Sequence, residues 1–328
     1  MHRRTLLTCA FQTALALGVI TLPSTLVAQQ AYPNKQIRFV VPFAAGGGGD
    51  AVARLLAQRL GEQIGDSVAV ENKAGAGGII GSSFVLKSPP DGYTVLNMSS
   101  TYAIQAAIGK NLNFDPIKDM QPIIMVSRDP VVMIVRTNSP LNDAKELIAA
   151  AKAKPGKLTH GSAGIGSIAH LGTEELAFLM GISLVHVPYK GSSQAFSDLL
   201  GGNVDMMLTS ATFASPYIKS GRVKAIGIAG KERMPNLPDV KTFEEQGIKG
   251  YDVVDWKAVA GPKGMPAEAV KFLNTELNKV LQHKSVTDRF SAEGTTSVGG
   301  TPEHLLQTIV SDIDRWKRVI KEANIKFE

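Results

Sequence analysis

Short apolar runs alternate with helix-like patterns along most of the chain. Apolar runs bounded by glycine, proline or polar residues predict β-strands. They lie at residues 37–43, 67–71, 94–98, 123–126, 131–136, 158–161, 184–188, 204–208, 223–228 and 253–260. Apolar residues at helical spacing predict helices near 50–64, 78–87, 142–153, 168–180, 193–201 and 212–220. After Pro266 the pattern is helical to the end of the chain, at 266–282, 285–292 and 302–323.

This alternation predicts an α/β fold with parallel-rich sheets covered by helices on both faces. Residues 120–136 have the pattern of a strand that leaves one lobe and enters another, with a break near Asp129-Pro130. A return near residues 225–230 would give two lobes joined by two crossovers, with a ligand cleft between them. The predicted boundaries are 29–127 plus 228–328 for lobe 1 and 128–227 for lobe 2.

The first 28 residues have the pattern of a signal peptide that is removed on export. Arg3 and Arg4 supply the positive charge, and an apolar run follows from Leu6 to Leu22. A membrane anchor is the alternative interpretation, and Sec and twin-arginine export both remain open. The only cysteine, Cys9, lies in this segment. The mature chain would therefore have no disulfide, no cysteine-bound metal and no cysteine nucleophile.

The charge pattern gives no indication of a nucleic-acid partner. The chain carries a formal net charge of +6, and two of its positive charges, Arg3 and Arg4, belong to the predicted signal peptide. Most other basic residues are scattered, whereas a nucleic-acid surface needs a concentrated basic stripe. After residue 28 no apolar run reaches the length of a membrane span. We therefore expect a soluble exported protein.

Two glycine-rich turns join predicted strands to predicted helices. The first contains Gly46–Gly49 followed by Asp50, and the second runs from Gly161 to Ser167. The start of a helix presents backbone N–H groups without intrahelical acceptors and a positive dipole end, which together favour an anion. Asp50 and Ser167 are the predicted caps of the two helices. The pair of turns predicts the capture of an anionic small molecule.

The glycine turns have other interpretations. A dinucleotide-binding fingerprint requires a third glycine, and Ala51 or Val52 stands at that place. A turn without any ligand is also open. Gly75–Gly78 lacks the Lys-Ser/Thr ending of a phosphate-binding loop, so close packing of the next helix is the better explanation. We therefore expect no cofactor.

Catalytic and metal-binding patterns are weak. No G-x-S-x-G motif surrounds Ser162 or Ser167, so a hydrolase triad has little support. His160, His170 and His186 lack the spacing of a metal site. We expect no catalytic residue and no metal, and His170 is either a packing residue at a helix start or a ligand contact.

Several segments resemble one protein family over nearly all of the mature chain. They include YPNKQIRFVVPFAAGGGGDAVARLLAQRL, VENKAGAGGIIGSSFV, PPDGYTVL, THGSAGIGSIAHLGTEEL, HVPYKGSSQAFSDLLGGNVDMM and LPDVKTFEEQGIKGYDV. In this order they resemble the Bug family, the TctC-like periplasmic solute-binding receptors of tripartite tricarboxylate transporters.

The resemblance implies a type II-like, Venus-flytrap fold without a cofactor or metal, monomeric and located in the periplasm. In the family, backbone N–H groups and waters hold the ligand carboxylate between the two loops. The ligand would be a di- or tricarboxylate, an amino acid or an aromatic acid, delivered to membrane transporter subunits. The predicted ligand-binding residues are Phe43, Ala44, Gly46, Gly47, Gly48, Gly49, Asp50, Ser162, Ala163, Gly164, Gly166, Ser167 and His170.

The chain departs from the family pattern at three places. Gly49 stands where threonine or serine is usual, and Ala45 where proline is common. Residues 255–258 differ from the usual tryptophan-then-glycine pattern, which leaves one cleft wall undefined. Two other functions stay open: a receptor that presents its ligand to a signalling partner, and an exported enzyme.

Overall fold

The computed structural model describes residues 32–327 as one compact unit. The predicted signal peptide lies outside these residues. The strands are β1 (Ile37–Val41), β2 (Val68–Asn72), β3 (Thr94–Ser99), β4 (Met120–Arg136), β5 (Thr159–Ser162), β6 (Val185–Pro188), β7 (Met206–Ser210), β8 (Val223–Ile228), β9 (Val254–Pro262) and β10 (Thr296–Gly299).

The helices alternate with the strands up to β8 and then dominate the chain, as the sequence pattern predicts. They are α1 (Gly48–Ile64), α2 (Ile79–Leu86), α3 (Thr101–Ile108), α4 (Ala144–Ala153), α5 (Ile168–Met180), α6 (Ser192–Gly201), α7 (Ala211–Lys219), α8 (Ala267–Gln282), α9 (Lys284–Glu293) and α10 (Pro302–Glu322). The short helix α3 and the strand β10 were not predicted. No helix among the described residues is long and apolar enough to cross a membrane.

The strands form one continuous mixed sheet in the order β2-β1-β3-β9-β4-β7-β5-β6, with β8 and β10 also paired to β4. Parallel pairing joins β1 to β2 and β3, and β5 to β6 and β7. Every pairing of β4 and β9 is antiparallel. The sheet thus consists of two parallel-rich groups on either side of a central antiparallel region.

The prediction of a break near Asp129-Pro130 is wrong, because β4 is one uninterrupted strand. Its residues Met120 to Pro130 pair with β9, and Val131 to Arg136 pair with β7 and β8. Pro130 lies between the part of β4 that pairs with β10 and the part that pairs with β7. A proline without an N–H is tolerated where the neighbouring strand changes. We call the two sides of this point the first and second sheet halves.

Alternate residues of β4 enter different hydrophobic clusters. Val131, Met133 and Val135 pack with α4 and α5, whereas Val132 and Ile134 pack with α6 and α7. The first half has the same construction, with one cluster against α1 and α8 and another against α3 and α10. Helices therefore cover both faces of both halves, which is the α/β arrangement that the sequence predicts.

The predicted lobe boundary at residues 227 and 228 remains a prediction. Phe243 and Tyr251, which follow β8, are buried in the cluster that contains Met133 and Leu208 of the second half. This packing favours a return to the first half at the start of β9, Val254, rather than at the end of β8.

The two faces of α10 provide a test of this packing. Ile309 is fully buried between α10 and the sheet, whereas its neighbour Val310 is 42% exposed. We expect Ile309→Ala to lower the free energy of unfolding by about 2–5 kcal/mol, because it leaves a cavity in the core. Val310→Ala should change it by less than about 0.5 kcal/mol. Urea denaturation of both variants measures the difference, and equal losses would contradict the assignment of the buried face.

Candidate functional site

A cavity of about 50 Å³ lies between the two sheet halves, at the carboxyl ends of the parallel strands. Its walls include the first residues or N-caps of five helices, α1, α3, α5, α6 and α7. In open α/β sheets, ligands bind at this edge. The cavity of about 50 Å³ is therefore a candidate ligand site. We call it the inner cavity.

Eight of the predicted ligand-binding residues line the inner cavity. They are Phe43, Ala44, Gly47, Gly48, Gly49, Asp50, Ala163 and Ser167. Sequence reasoning missed many other wall residues, among them Asn97, Ser99, Thr101, Ser192, Thr209, Ser210, Asp255 and Lys257. These eight side chains are polar, and none of the eight residues follows either of the two glycine-rich turns that mark the site in the sequence.

The first glycine loop leads directly into α1. Gly46 has a φ of +83°, which glycine adopts without strain, and Gly47 is the extended N-cap of the helix. Helix α1 begins at Gly48, so the prediction that Asp50 caps this helix is wrong. The N–H groups of Gly48, Gly49 and Asp50 belong to the first turn, which has no intrahelical acceptors. Gly48, Gly49 and Asp50 all line the inner cavity.

The Asp50 carboxylate holds this loop in place. Its Oδ2 atom accepts from the Gly46 N–H at 2.9 Å and from Arg54 Nε at 3.0 Å, and its Oδ1 atom accepts from Asn72 Nδ2 at 2.9 Å. Burial opposes ionisation of this carboxyl, but these three donors outweigh it and lower the pKa of Asp50. The Asp50 carboxylate therefore stabilises the loop. It does not accept from the first-turn N–H groups of α1, which stay available to a ligand.

In the second glycine loop, several N–H groups already donate hydrogen bonds to side chains of the same segment. Ser167 is the N-cap of α5 and accepts from the His170 N–H at 3.2 Å, as the sequence predicts. The Gly166 N–H donates to His170 Nδ1 at 3.1 Å, and the Gly164 N–H donates to Ser162 Oγ at 3.0 Å. The two loops are therefore not equivalent, because the second has fewer N–H groups to offer a ligand.

Five predicted ligand-binding residues lie outside the wall of the inner cavity: Gly46, Ser162, Gly164, Gly166 and His170. The His170 ring stacks on His186 with 3.7 Å between ring centroids, and Ser162 Oγ lies 2.6 Å from His186 Nε2. Gly164 lines a larger cavity of about 670 Å³, which we call the outer cavity.

The stacked rings of His170 and His186 are held in their neutral forms. Burial lowers the pKa of His170 to about 4, although Glu174 acts against this shift. Burial and the neighbouring rings of His170 and His160 lower the pKa of His186 to about 2. No group of three or more His, Cys, Asp or Glu side chains in residues 32–327 is arranged to hold a metal ion.

Helix α7 supplies an N-terminus that sequence reasoning did not link to the site. Its N-cap Ser210 and the preceding Thr209 line the inner cavity. A Cβ atom added at Gly48 would lie 2.8 Å from Ser210 Oγ, so α1 and α7 meet at very short range. The strand-to-helix turn at β7 contains no glycine, and this explains why it did not stand out in the sequence.

A buried ionic cluster lies beside the same cavity. Lys257 Nζ donates to Asp129 Oδ2 at 2.9 Å and to Asp255 Oδ2. Ser100 Oγ donates to Asp255 Oδ1 at 2.6 Å, and Thr212 Oγ1 donates to Asp129 Oδ1 at 2.9 Å. Burial alone would lower the pKa of Lys257, but the two carboxylates outweigh it and raise that pKa. Asp255 and Lys257 fall in the segment where the sequence departs from the family pattern.

Hydrogen bonds close the two sheet halves over the inner cavity. The Ala44 N–H donates to the Lys190 carbonyl at 3.2 Å, and Ser193 Oγ donates to the Ala45 carbonyl at 2.9 Å. On another side, Gln105 Nε2 donates to the Ile165 carbonyl at 2.8 Å. A ligand in the inner cavity would therefore be enclosed from both halves.

Comparison with known proteins identifies the family. Residues 52–325 match the model of the tripartite tricarboxylate transporter family receptor, TctC. The chain belongs to this family. Its members are solute-binding receptors rather than enzymes, and the resemblance stated from the sequence is confirmed.

Solved structures of the family share the fold. The periplasmic binding protein BugD is 36% identical, with a TM-score of 0.87 over 90% of this chain and 100% of its own. Rpa4515 of R. palustris with adipate is 33% identical, with a TM-score of 0.86 over 90% and 99% of the two chains. MatC of Rhodopseudomonas palustris with bound malate is 31% identical, with a TM-score of 0.85 over 88% and 100%. The two-lobed flytrap fold is thus confirmed.

The lowered pKa of His170 predicts a dependence of stability on pH. The pKa of His170, about 4 in the folded chain, lies below the ordinary value of 6.5, so the unfolded chain binds more protons between these values. Stability should be complete above pH 6.5 and fall as the pH decreases towards 4, by about 3 kcal/mol for this group. His170→Asn, which keeps an acceptor for the Gly166 N–H, should reduce this slope in melting experiments. An unchanged slope would contradict the prediction.

Proposed function

We propose that this chain is an exported periplasmic receptor that captures a small carboxylate in the inner cavity and delivers it to membrane transporter subunits. The convergence of five helix N-termini on one cavity carries this proposal. Each N-terminus contributes N–H donors and a partial positive charge of about half an elementary charge. The adipate and malate in the two related structures support a carboxylate as the ligand.

The inner cavity is the better candidate than the outer one. The outer cavity is larger, about 670 Å³, and residues such as Lys110, Tyr189 and Lys190 line it. The first turns of α1 and α5 and the N-cap of α7 border the inner cavity instead. A carboxylate gains most where several aligned amides and dipoles meet in an enclosed space that screens them little.

Binding would be coupled to closure of the two halves. A ligand held by α1 from the first half and by α5 and α7 from the second gains all of its contacts only when the halves are together. Its differential affinity would therefore shift the population towards the closed form. A membrane transporter could then distinguish loaded from empty receptors by their shape.

We propose no catalytic activity for this chain. The Ser162 hydroxyl is fully buried and bonded to His186 and to the Gly164 backbone. A nucleophile must reach its substrate, and this hydroxyl lies outside the wall of the inner cavity. Removal of the predicted signal peptide and release into the periplasm belong to the same proposal.

A ligand screen tests the proposal directly. We expect small carboxylates, but not their primary amides, to raise the melting temperature of the purified protein. A ligand at 100 times its dissociation constant adds about 2.7 kcal/mol to the stability, which corresponds to a rise of several degrees. Equal effects of acids and amides, or no effect of any carboxylate, would refute a carboxylate receptor.

A glycine at the closure contact provides a matched pair of variants. Gly191 has extended backbone, and an added Cβ would lie 2.9 Å from Ala44 Cβ and 3.1 Å from Ala44 N. We expect Gly191→Ala to weaken ligand binding about 10-fold, since overpacking of this kind costs about 1–3 kcal/mol in the closed form. Gly201→Ala, at the other end of α6 and without a close contact, is the control. Calorimetric affinities that agree for both variants would contradict the role of this contact in closure.

A further inference from the structure

One buried acceptor on the wall of the inner cavity, Asn97 Oδ1, has no hydrogen-bond partner within residues 32–327. The Asn97 side chain is almost fully buried, with 3% of its surface exposed. Its Nδ2 atom donates to the Gly49 carbonyl at 2.9 Å, which fixes the orientation of the amide. A buried acceptor without a donor is costly. A ligand that donates a hydrogen bond to Asn97 would remove that cost.

Asn97 shares one face of the sheet with the ionic cluster. In the antiparallel pair of β3 and β9, Asn97 is opposite Val259 and Ser99 is opposite Lys257. Side chains two residues apart on a strand point to the same face, so Asp255 also belongs to it. Asn97, Asp255 and Lys257 all line the inner cavity. The unpaired acceptor and the charged groups therefore border the same small space.

The ionic cluster carries an excess of negative charge. Asp129 and Asp255 contribute two formal negative charges, and Lys257 contributes one positive charge between them. The other acid at the cavity, Asp50, is paired with Arg54. The first turn of α1 attracts negative charge. The inner cavity thus has the start of α1 on its wall and, near Asp255, a cluster whose side chains carry one net negative charge.

We propose that the ligand of the inner cavity is an α-amino acid, whose carboxylate lies against the first turn of α1 and whose ammonium group donates to Asn97 Oδ1 and faces the Asp255 carboxylate. The bond from Asn97 to Gly49 puts the acceptor next to the first turn of α1. The two charged groups of the ligand are therefore only a few atoms apart, as in an α-amino acid. This inference rests on the proposed function and names the ligand class of the same site.

Other small acids fit these groups less well. A simple carboxylate provides no donor for Asn97 Oδ1 and adds no positive charge beside the net negative side chains of the ionic cluster. A hydroxy acid supplies a donor but no positive charge. A hydrogen bond to a charged group contributes more than one between neutral groups. The ammonium group should therefore improve affinity over both alternatives.

Two sets of matched compounds test the inference in the unmodified protein: alanine, lactate and propionate, and aspartate, malate and succinate. Within each set, one position carries an ammonium, a hydroxyl or a hydrogen. We expect the amino acid of at least one set to bind about 10- to 100-fold more tightly than its partners by calorimetry, as expected for a hydrogen bond to a charged group. Equal or tighter binding of the hydroxy or unsubstituted acids in both sets would overturn the inference.

Two variants test whether Asn97 and Asp255 cause the preference for an amino acid. Asp255→Asn removes the negative excess and leaves Lys257 paired with Asp129, and Asn97→Leu removes the acceptor. Both should reduce the preference for the amino acid over the unsubstituted acid about 10-fold. The ratio of two affinities in one variant is insensitive to partial loss of folded protein. Asp205→Asn is the control, because its carboxylate binds Thr159 away from the cavity, and its ratio should be unchanged.

The outcomes separate this inference from the proposed function. If the unsubstituted acids bind and the amino acids do not, the carboxylate receptor stands and the ammonium site is refuted. If none of the six compounds binds, the amino-acid inference is refuted, and the wider screen of carboxylates and amides decides on the receptor. If amino acids bind best but both variants keep the wild-type ratio, the assignment to Asn97 and Asp255 is overturned.

Discussion

The pairing of β4 with β9 is the interaction on which the rest of the structure depends. These two antiparallel strands lie at the centre of the sheet, and β4 continues from the first half into the second. At the crossing point, Asp129 on β4 is bonded to Lys257 on β9. The ionic cluster therefore joins both strands where the halves meet, and the inner cavity lies directly beside it.

A buried ion pair is not in itself a source of stability. The desolvation of three charged groups offsets much of their attraction, and apolar residues of similar size are often as stable. Removal of one partner is costly, about 3–5 kcal/mol, because a buried charge is left alone. The value of the cluster lies in its fixed geometry: Ser100 and Thr212 also hold the two carboxylates. Such a preorganised arrangement suits recognition, because no side chain has to be ordered when a ligand binds.

Much of the fold could be predicted from the sequence, because hydrophobic periodicity reports burial directly. The glycine loop at Gly46–Gly49 likewise indicated the start of α1 at the cavity. Other features depend on contacts between distant parts of the chain: Asp129 and Lys257 are separated by 128 residues. The N-terminus of α7 carries no glycine signal, and His170 turns into a stack with His186 that no local pattern specifies. Propensity gives the elements, but three-dimensional packing decides which side chains share a cavity.

The two glycine loops look alike in the sequence but serve the site differently. In the first, the Asp50 side chain takes up the N–H of Gly46, outside the helix, and the first-turn amides of α1 remain at the cavity. In the second, Ser162, Ser167 and His170 accept N–H groups of their own segment. The second loop therefore has fewer free N–H groups for a ligand than the first turn of α1. Gly49 stands where the family usually has a hydroxyl. It therefore offers a ligand only its backbone groups. The neighbouring side chains, Asn97 and the ionic cluster, would then determine selectivity.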